Sequence, residues 1–269
     1  MYSTLAVHFL PELTTAAELA AGIVVVIDVL RASTTITTAL AAGAREVIPC
    51  AEVEQARKRA EQLGRRCPTT RTTATVAETG PLLGGERGGL PIDGFDLGNS
   101  PSEFIPTVVA GRTVVFTTTN GTKALLACTA AQRVLIGSFV NFSAVAAELT
   151  GELPIHLLCA GTRDRVTRED VLFAGSLVEK LDGAVVDHEA INDEARIARS
   201  AWVQTMNNIR LPGKRAKQRL ADVLRDSQGG RNLINVGLER DIVDAANFDR
   251  YDFAPRFDTD RWRIVRPTA

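Results

Sequence analysis

No apolar run in this 269-residue chain is long enough to cross a membrane, which takes about 20 residues. The run Gly22–Leu30 is broken by Asp28 and followed at once by Arg31, so it reads as a buried strand. The N-terminus lacks the basic start, apolar middle and small-residue cleavage site of a secretory signal, and a cytoplasmic location with no membrane partner is the expectation. A one-sided charge is missing as well. Lys and Arg number 31 against 32 Asp and Glu, interspersed along the chain, which excludes the clustered basic face of a nucleic-acid binder. Cysteine is scarce: Cys50, Cys67, Cys128 and Cys159 show no CxxC spacing and no histidine at zinc-finger distance, so free thiols are expected. His8, His156 and His188 are far apart, without metal spacing to one another. Neither a G-x-x-x-x-G-K-[ST] loop nor a G-x-G-x-x-G after a strand is present, and nucleotide binding is unsupported.

What is there is a repeating pattern: a β-branched strand, a small polar turn, then a helix-like segment. Ile23–Leu30 leads into Arg31–Thr35 and a helix to about Ala42. Glu46–Cys50 precedes an amphipathic helix over Glu52–Leu63. Thr113–Phe116, Arg133–Ile136 and Ile155–Cys159 each lead into a Gly-, Ser-, Thr- or Asn-rich turn and a helix, the last from about Arg168 to Leu181. Such alternation predicts an α/β fold, with helices on both faces of a largely parallel or mixed sheet. One domain over 1–269 is expected, with two intimately packed subdomains allowed and a break near 84–112. Arg65–Gly80 reads as a long loop or insertion, and Leu83–Pro101 as a glycine- and proline-rich functional loop. A helix from about Asp193 to Asn208, a break at Pro212 and a basic helix to about Arg225 follow. The last thirty or so residues read as an irregular tail.

In a parallel sheet, ligands bind outside the carboxyl ends of the strands, where helix N-termini favour anions. Four turns fall at that edge. Their hydroxyl and amide groups either cap helices or bind an anion; the candidates are Ser33, Thr34, Thr118, Thr119, Asn120, Gly121, Thr122, Ser138, Asn141 and Gly161. Asp28 ends an aliphatic run at a strand tip, where an unpaired carboxylate costs several kcal/mol. Either it pairs with Arg31 in a structural salt bridge, or it binds a metal while Arg31 clamps phosphate. Gly84-Gly85-Glu86-Arg87-Gly88-Gly89 surrounds an acid–base pair with a backbone that can approach a ligand closely. Asn99-Ser100-Pro101 reads as a helix start. Thr167–Asp170 has capping-box spacing, so Asp170 and Glu169 are either first-turn acids or metal ligands. Cys159 and Arg165 have C-x5-R spacing, read as a buried strand-end thiol or a phosphatase nucleophile.

Taken together these segments resemble a known family. Val26–Thr35, Gly85–Gly89 followed by Gly94–Pro101, Thr117–Thr122, Gly137–Asn141 and Cys159–Thr162 are similar, in order, to five motifs of the 2-phosphosulfolactate phosphatases. The resemblance implies a three-layer α/β/α fold and a Mg²⁺-dependent phosphatase of coenzyme M biosynthesis. Its substrate would be 2-phospho-3-sulfolactate, yielding 3-sulfolactate and phosphate.

Joined to the residue chemistry, this assigns Asp28 and Glu86 as magnesium ligands, with Asp170 or Glu169 as a third. Arg31 and Arg87 would neutralise phosphate, and Asn99, Ser100 and the turn residues would supply donors. The attacker is a metal-bound water or Asp28 itself; the absence of a second acid two residues after Asp28 favours water. Three rivals remain: a cysteine-dependent phosphatase using Cys159, a non-catalytic anion-binding sensor, and a structural or assembly protein, which would leave the strand-end motifs without a purpose. The expected partner is a small phosphorylated acid, with a homodimer left open.

Overall fold

The computed structural model describes residues 3–65, 80–151, 153–207 and 214–267. Residues 66–79 of the Arg65–Gly80 segment, Cys67 among them, and the break at Pro212 lie outside the described residues.

The strands are β1 (Ser3–His8), β2 (Ile23–Ile27), β3 (Glu46–Pro49), β4 (Leu82–Arg87), β5 (Leu90–Pro91), β6 (Thr113–Thr117), β7 (Arg133–Gly137), β8 (Ile155–Cys159), β9 (Val186–Ile191), β10 (Arg256–Asp258) and β11 (Arg263–Val265). They form one mixed sheet in the order β5-β4-β6-β3-β11-β10-β7-β2-β8-β1-β9. Two blocks are parallel throughout: β4-β6-β3, and β7-β2-β8-β1-β9. The C-terminal hairpin β10-β11 joins them, antiparallel to β7 on one side and to β3 on the other. The tail read as irregular is therefore structural. Its strands are three residues each, too short for a period-2 pattern to stand out.

Side-chain alternation explains the layers. In β2 every residue is aliphatic and buried, as both faces of a central parallel strand require. Ile23, Val25 and Ile27 enter one core cluster with Phe173 and Leu177 of the helix Arg168–Leu181. Val24 and Val26 enter a second cluster, which also takes Val114 and Phe116 of β6, Val47 of β3 and Leu82 of β4. The intervening residues Ile48, Leu83 and Val115 face a third cluster with Ala56 and Ala60 of the helix Val53–Gln62. The sheet thus has helices on both faces.

The second cluster includes Ala32, Ile36 and Leu40 of the helix Ala32–Ala41, and Ala124 and Leu125 of the helix Gly121–Ala127. The sheet curls round these two helices, and this curl builds the site. Four strands separate β6 from β2. In a flat sheet their tips would be about 24 Å apart at the usual strand spacing. Instead, a Cβ built at Gly121, just past the β6 tip, would lie 3.0 Å from Asp28 Oδ2 and 2.8 Å from Ala32 Cβ.

The Gly84–Gly89 segment read as loop is strand over four of its six residues, Gly84 to Arg87. Gly85 sits in β4 with φ +142°, and a Cβ there would lie 2.0 Å from the Thr117 carbonyl oxygen of β6. Only glycine fits, so the residues that make the strand possible are the ones that disguise it.

Candidate active site

A cavity of about 260 Å³ opens at the carboxyl ends of β2, β4, β6 and β8. Asp28, Arg31, Glu86, Asn99, Thr119 and Asn120, all anticipated from the sequence, line it.

Asp28 lies one residue beyond β2 and is 6% exposed. Its Oδ1 accepts the N–H of Ala32, the first residue of the helix behind it, at 3.2 Å. The turn is closed by Ser33, whose Oγ accepts the Asp28 N–H at 3.0 Å. Burial pushes the Asp28 carboxyl up to about 7, and the nearby Glu86 and Glu169 push the same way against the Ala32 bond and Arg31. The Asp28–Arg31 salt bridge, one of the two alternatives for this pair, gives way to another pairing. Arg31 Nη1 donates to Asp241 Oδ2 at 2.8 Å, and its Nη2 donates to the Gly89 carbonyl at 3.0 Å. Ser100 Oγ holds the other Asp241 oxygen at 2.5 Å in place of capping its own helix.

Glu86 is 7% exposed, and its two oxygens accept the N–H groups of Thr119 at 2.8 Å and Gly89 at 2.6 Å. It therefore ties the β4 tip to the β6 turn. Arg87 points away from the cavity: its Nη2 donates to the Ala51 carbonyl and to Thr117 Oγ1, each at 2.8 Å.

Glu169 and Asp170 open the helix Arg168–Leu181, and both are buried. Asp170 accepts from Val29 N at 2.9 Å, and from Gly161 N and Thr167 Oγ1 at 3.1 Å each. It pins the tips of β2 and β8 together, and burial with its charged neighbours Glu169 and Asp28 holds its carboxyl well above the usual range. Glu169 Oε2 is buried without a hydrogen-bond partner, beneath Gly229 of the cavity wall, and burial raises its carboxyl too.

Other anticipated residues stand behind the cavity. Thr34 Oγ1 donates to the Val29 carbonyl, and Thr122 Oγ1 accepts the Thr118 N–H. Thr118, Thr122, Gly121 and Ser33 border a narrow cleft behind Asp28. Ser138 N donates to Asn141 Oδ1 at the β7 tip, while Asn141 Nδ2 donates to the carbonyls of Ile136 and Phe253; neither residue lines the cavity. Gly161, with φ +65°, shapes the β8 turn. Cys159 belongs to the first core cluster, fully buried, and burial drives its thiol well above the ordinary value.

A 2-phosphosulpholactate phosphatase family model matches residues 8–260. The chain belongs to the 2-phosphosulfolactate phosphatase family. It is 39% identical over 243 residues to a probable 2-phosphosulfolactate phosphatase of Symbiobacterium thermophilum, covering 90% of this chain and 94% of that one. Proteins with the same description in Caldanaerobacter subterraneus subsp. tengcongensis and Pseudothermotoga lettingae are 37% and 34% identical; the matches cover 87% and 95% of this chain and 86% and 96% of theirs. Membership makes it a phosphoric monoester hydrolase.

Within this family member, the sequence reading missed Asp241, Arg163 and the wall formed by Asn232, Leu233 and Asn235. The wall is the helix Gln228–Asn235, capped by Ser227, whose Oγ accepts the Gly230 N–H at 3.0 Å. Gly229-Gly230 was the available signal: a Cβ at Gly229 would sit 2.1 Å from Glu169 Oε1.

The site's donors fit a hard divalent cation. Asp28 and Glu169 are buried carboxylates whose proton affinity burial raises, that of Asp28 further through Glu169, and Arg31 is committed to Asp241. Glu169 Oε2 and Asn99 Oδ1 are buried oxygens lacking a hydrogen-bond partner. Among the described residues no three His, Cys, Asp or Glu side chains form a ready metal cluster. Magnesium does not need one, since it takes one or two carboxylates and completes its shell with water and phosphate oxygens.

Proposed function

We propose that this chain is a magnesium-dependent phosphatase converting 2-phospho-3-sulfolactate to 3-sulfolactate and phosphate, in the cytoplasm and in service of coenzyme M biosynthesis. The observation that carries the reading is the meeting of Asp28 and Glu86 in one cavity from strands far apart in the sheet. The names of the relatives support the substrate. Asp28 and Glu86 would hold the cation, with Glu169 next in reach below them. Bound there, magnesium would neutralise charge on the phosphoryl oxygens.

The protein's own groups do the positioning. Arg31, fixed by Asp241 and the Gly89 carbonyl, presents a preoriented guanidinium on the cavity wall. Asp170 and Thr34 hold the β2 tip so that Asp28 keeps its place. Water is the preferred attacker, for Leu30 stands where the common aspartyl-phosphate enzymes carry their second acid. The Cys159 rival is disfavoured by a thiol sunk in an apolar core with its proton tightly held.

The test is a phosphate-release assay on 2-phospho-3-sulfolactate with and without EDTA, using wild type, Asp28→Asn and Cys159→Ser. Activity that vanishes with EDTA and in Asp28→Asn but survives in Cys159→Ser supports the reading. Turnover that persists in EDTA would sink it.

A further inference from the structure

One rim of the cavity has no part in the phosphoryl chemistry above. The turn Thr162–Arg165 follows β8 and is closed by Thr162 N donating to the Arg165 carbonyl at 2.9 Å and Arg165 N to the Thr162 carbonyl at 3.2 Å. Arg163 and Asp164 both adopt left-handed backbone, φ +52° and +58°. Non-glycine residues seldom do so without surrounding structure to impose it. Here the imposing contacts are visible. Arg163 N donates to Asn120 Oδ1 at 3.2 Å, and Asp164 is paired with Lys123 Nζ at 2.7 Å, which also pairs with Glu12.

This arrangement leaves the Arg163 guanidinium at the mouth. Arg163 lines the cavity, and its Nη2 is 4.0 Å from the position a Cβ would take on Gly88, across the opening. Its neighbour Asp164 is turned to Lys123, which it shares with Glu12, and no ion-pair partner for Arg163 occurs among the described residues. The other guanidinium on the cavity wall, Arg31, is buried and already paired with Asp241. The mouth therefore carries a guanidinium free to bind in bidentate fashion, while the floor carries carboxylates.

We propose that Arg163 is a specificity-determining residue that binds the sulfonate of the substrate. This rests on the phosphatase reading, which seats the phosphoryl group on the cavity floor. In a phosphorylated 3-sulfo-2-hydroxy acid, the carboxylate shares its carbon neighbour with the phosphate ester, whereas the sulfonate is carried on the next carbon. It is the group free to reach the rim. A guanidinium offers a sulfonate two parallel N–H donors, and fixing the turn through Asp164 and Asn120 limits the ordering that binding must impose.

The test compares wild type, Arg163→Ala and Arg163→Lys on three esters: 2-phospho-3-sulfolactate, 2-phospholactate, which lacks the sulfonate, and glycerol 2-phosphate, which lacks both anionic tails. Arg163→Ala is expected to lower kcat/KM on the sulfonated ester about 10- to 100-fold, chiefly through KM, as loss of a charge-assisted hydrogen bond does. The losses on the other two should be at least tenfold smaller, with Arg163→Lys intermediate. Calorimetric titration with 3-sulfolactate and with inorganic phosphate gives a second readout without turnover. Arg163→Ala should weaken the former and not the latter. Equal losses on all three esters would make Arg163 a phosphate ligand, and equal losses on the two carboxylated esters would make it a carboxylate ligand; either overturns the proposal. Should wild type release no phosphate from any ester, the phosphatase reading fails, and the 3-sulfolactate titration still decides Arg163.

Discussion

Arg31 and Asp241 form an ion pair at 2.8 Å, their side chains 4% and 1% exposed, across 210 positions of sequence. Asp241 sits in the short helix Arg240–Ala245 near the chain's end, while Arg31 caps the helix that begins beside Asp28. The contact ties the C-terminal segment to the cavity wall.

Removing one partner leaves a buried charge uncompensated, which costs about 3–5 kcal/mol. Asp241→Ala is accordingly expected to lower the unfolding free energy by that order and to depress phosphatase activity, because Arg31 loses its orientation. The two effects separate in Ser100→Ala. It removes the 2.5 Å bond to Asp241, with the 2.9 Å bond to Ser102 Oγ, leaves the ion pair in place and should cost about 1–2 kcal/mol. Urea unfolding and initial rates on each variant check this. Unchanged stability in Asp241→Ala would contradict the pairing.

Gly121→Ala adds a methyl where 2.8 Å to Ala32 Cβ and 3.0 Å to Asp28 Oδ2 leave no room. Displacing the carboxylate proposed to hold the cation misplaces the phosphoryl group, so a loss of kcat on the order of 100-fold is expected. Stability should fall by only about 1–3 kcal/mol, as for other overpacking changes. Thermal melts run beside the kinetics would separate the two. A variant with wild-type kcat would show that the β6 turn does not set the position of Asp28.

The raised carboxyls make a signed prediction about pH. Asp28, with its value near 7, and Glu169 and Asp170, shifted in the same direction, bind protons more tightly folded than unfolded. The Asp28 contribution is therefore full in acid, below the ordinary carboxylate range, and is lost as pH rises toward and through about 7; those of Glu169 and Asp170 are lost in the same direction. In EDTA, Asp28→Asn should be more stable than wild type at pH 8, by on the order of 1–3 kcal/mol, and the gap should close near pH 4. Magnesium at pH 8 should raise the melting temperature of wild type and leave Asp28→Asn nearly unmoved. A variant less stable than wild type at pH 8 would mean that Asp28 is charged and well compensated without a cation.

Cys159→Ala should retain phosphatase activity within about threefold, since it removes one small group from a core site without touching the cavity. Thiol-alkylating reagents should react slowly with Cys50, Cys128 and Cys159 in the native protein, all three being buried. An inactive yet folded Cys159→Ala, with a native melting curve, would restore the thiol mechanism.

Much of the fold was legible because periodicity and strand composition are local. Ile155–Cys159 and the helix Arg168–Leu181 fall where their patterns place them, and Asp28 stands at its strand tip as the broken aliphatic run implies. Strand β4 was not legible. Its Gly85 answers to the Thr117 carbonyl across the sheet, and nothing adjacent in sequence records that contact. The hairpin β10-β11 and the helix holding Asp241 were missed for the same reason: short elements draw their stability from partners and not from propensity.

The division at the site follows suit. The sequence by itself determined which residue types stand at each strand's carboxyl end, and so the supply of carboxylates, guanidinium groups and small polar turns. Only the tertiary structure decided which of them meet. The curl that brings β6 against β2 is set by how the helices Ala32–Ala41 and Gly121–Ala127 pack inside the sheet. That packing puts Asp28 and Glu86 in one cavity, hands Arg31 to Asp241, turns Arg87 away and leaves Arg163 at the mouth. Pairings over such distances depend on the summed burial of many side chains, a property of the whole chain that no local motif carries.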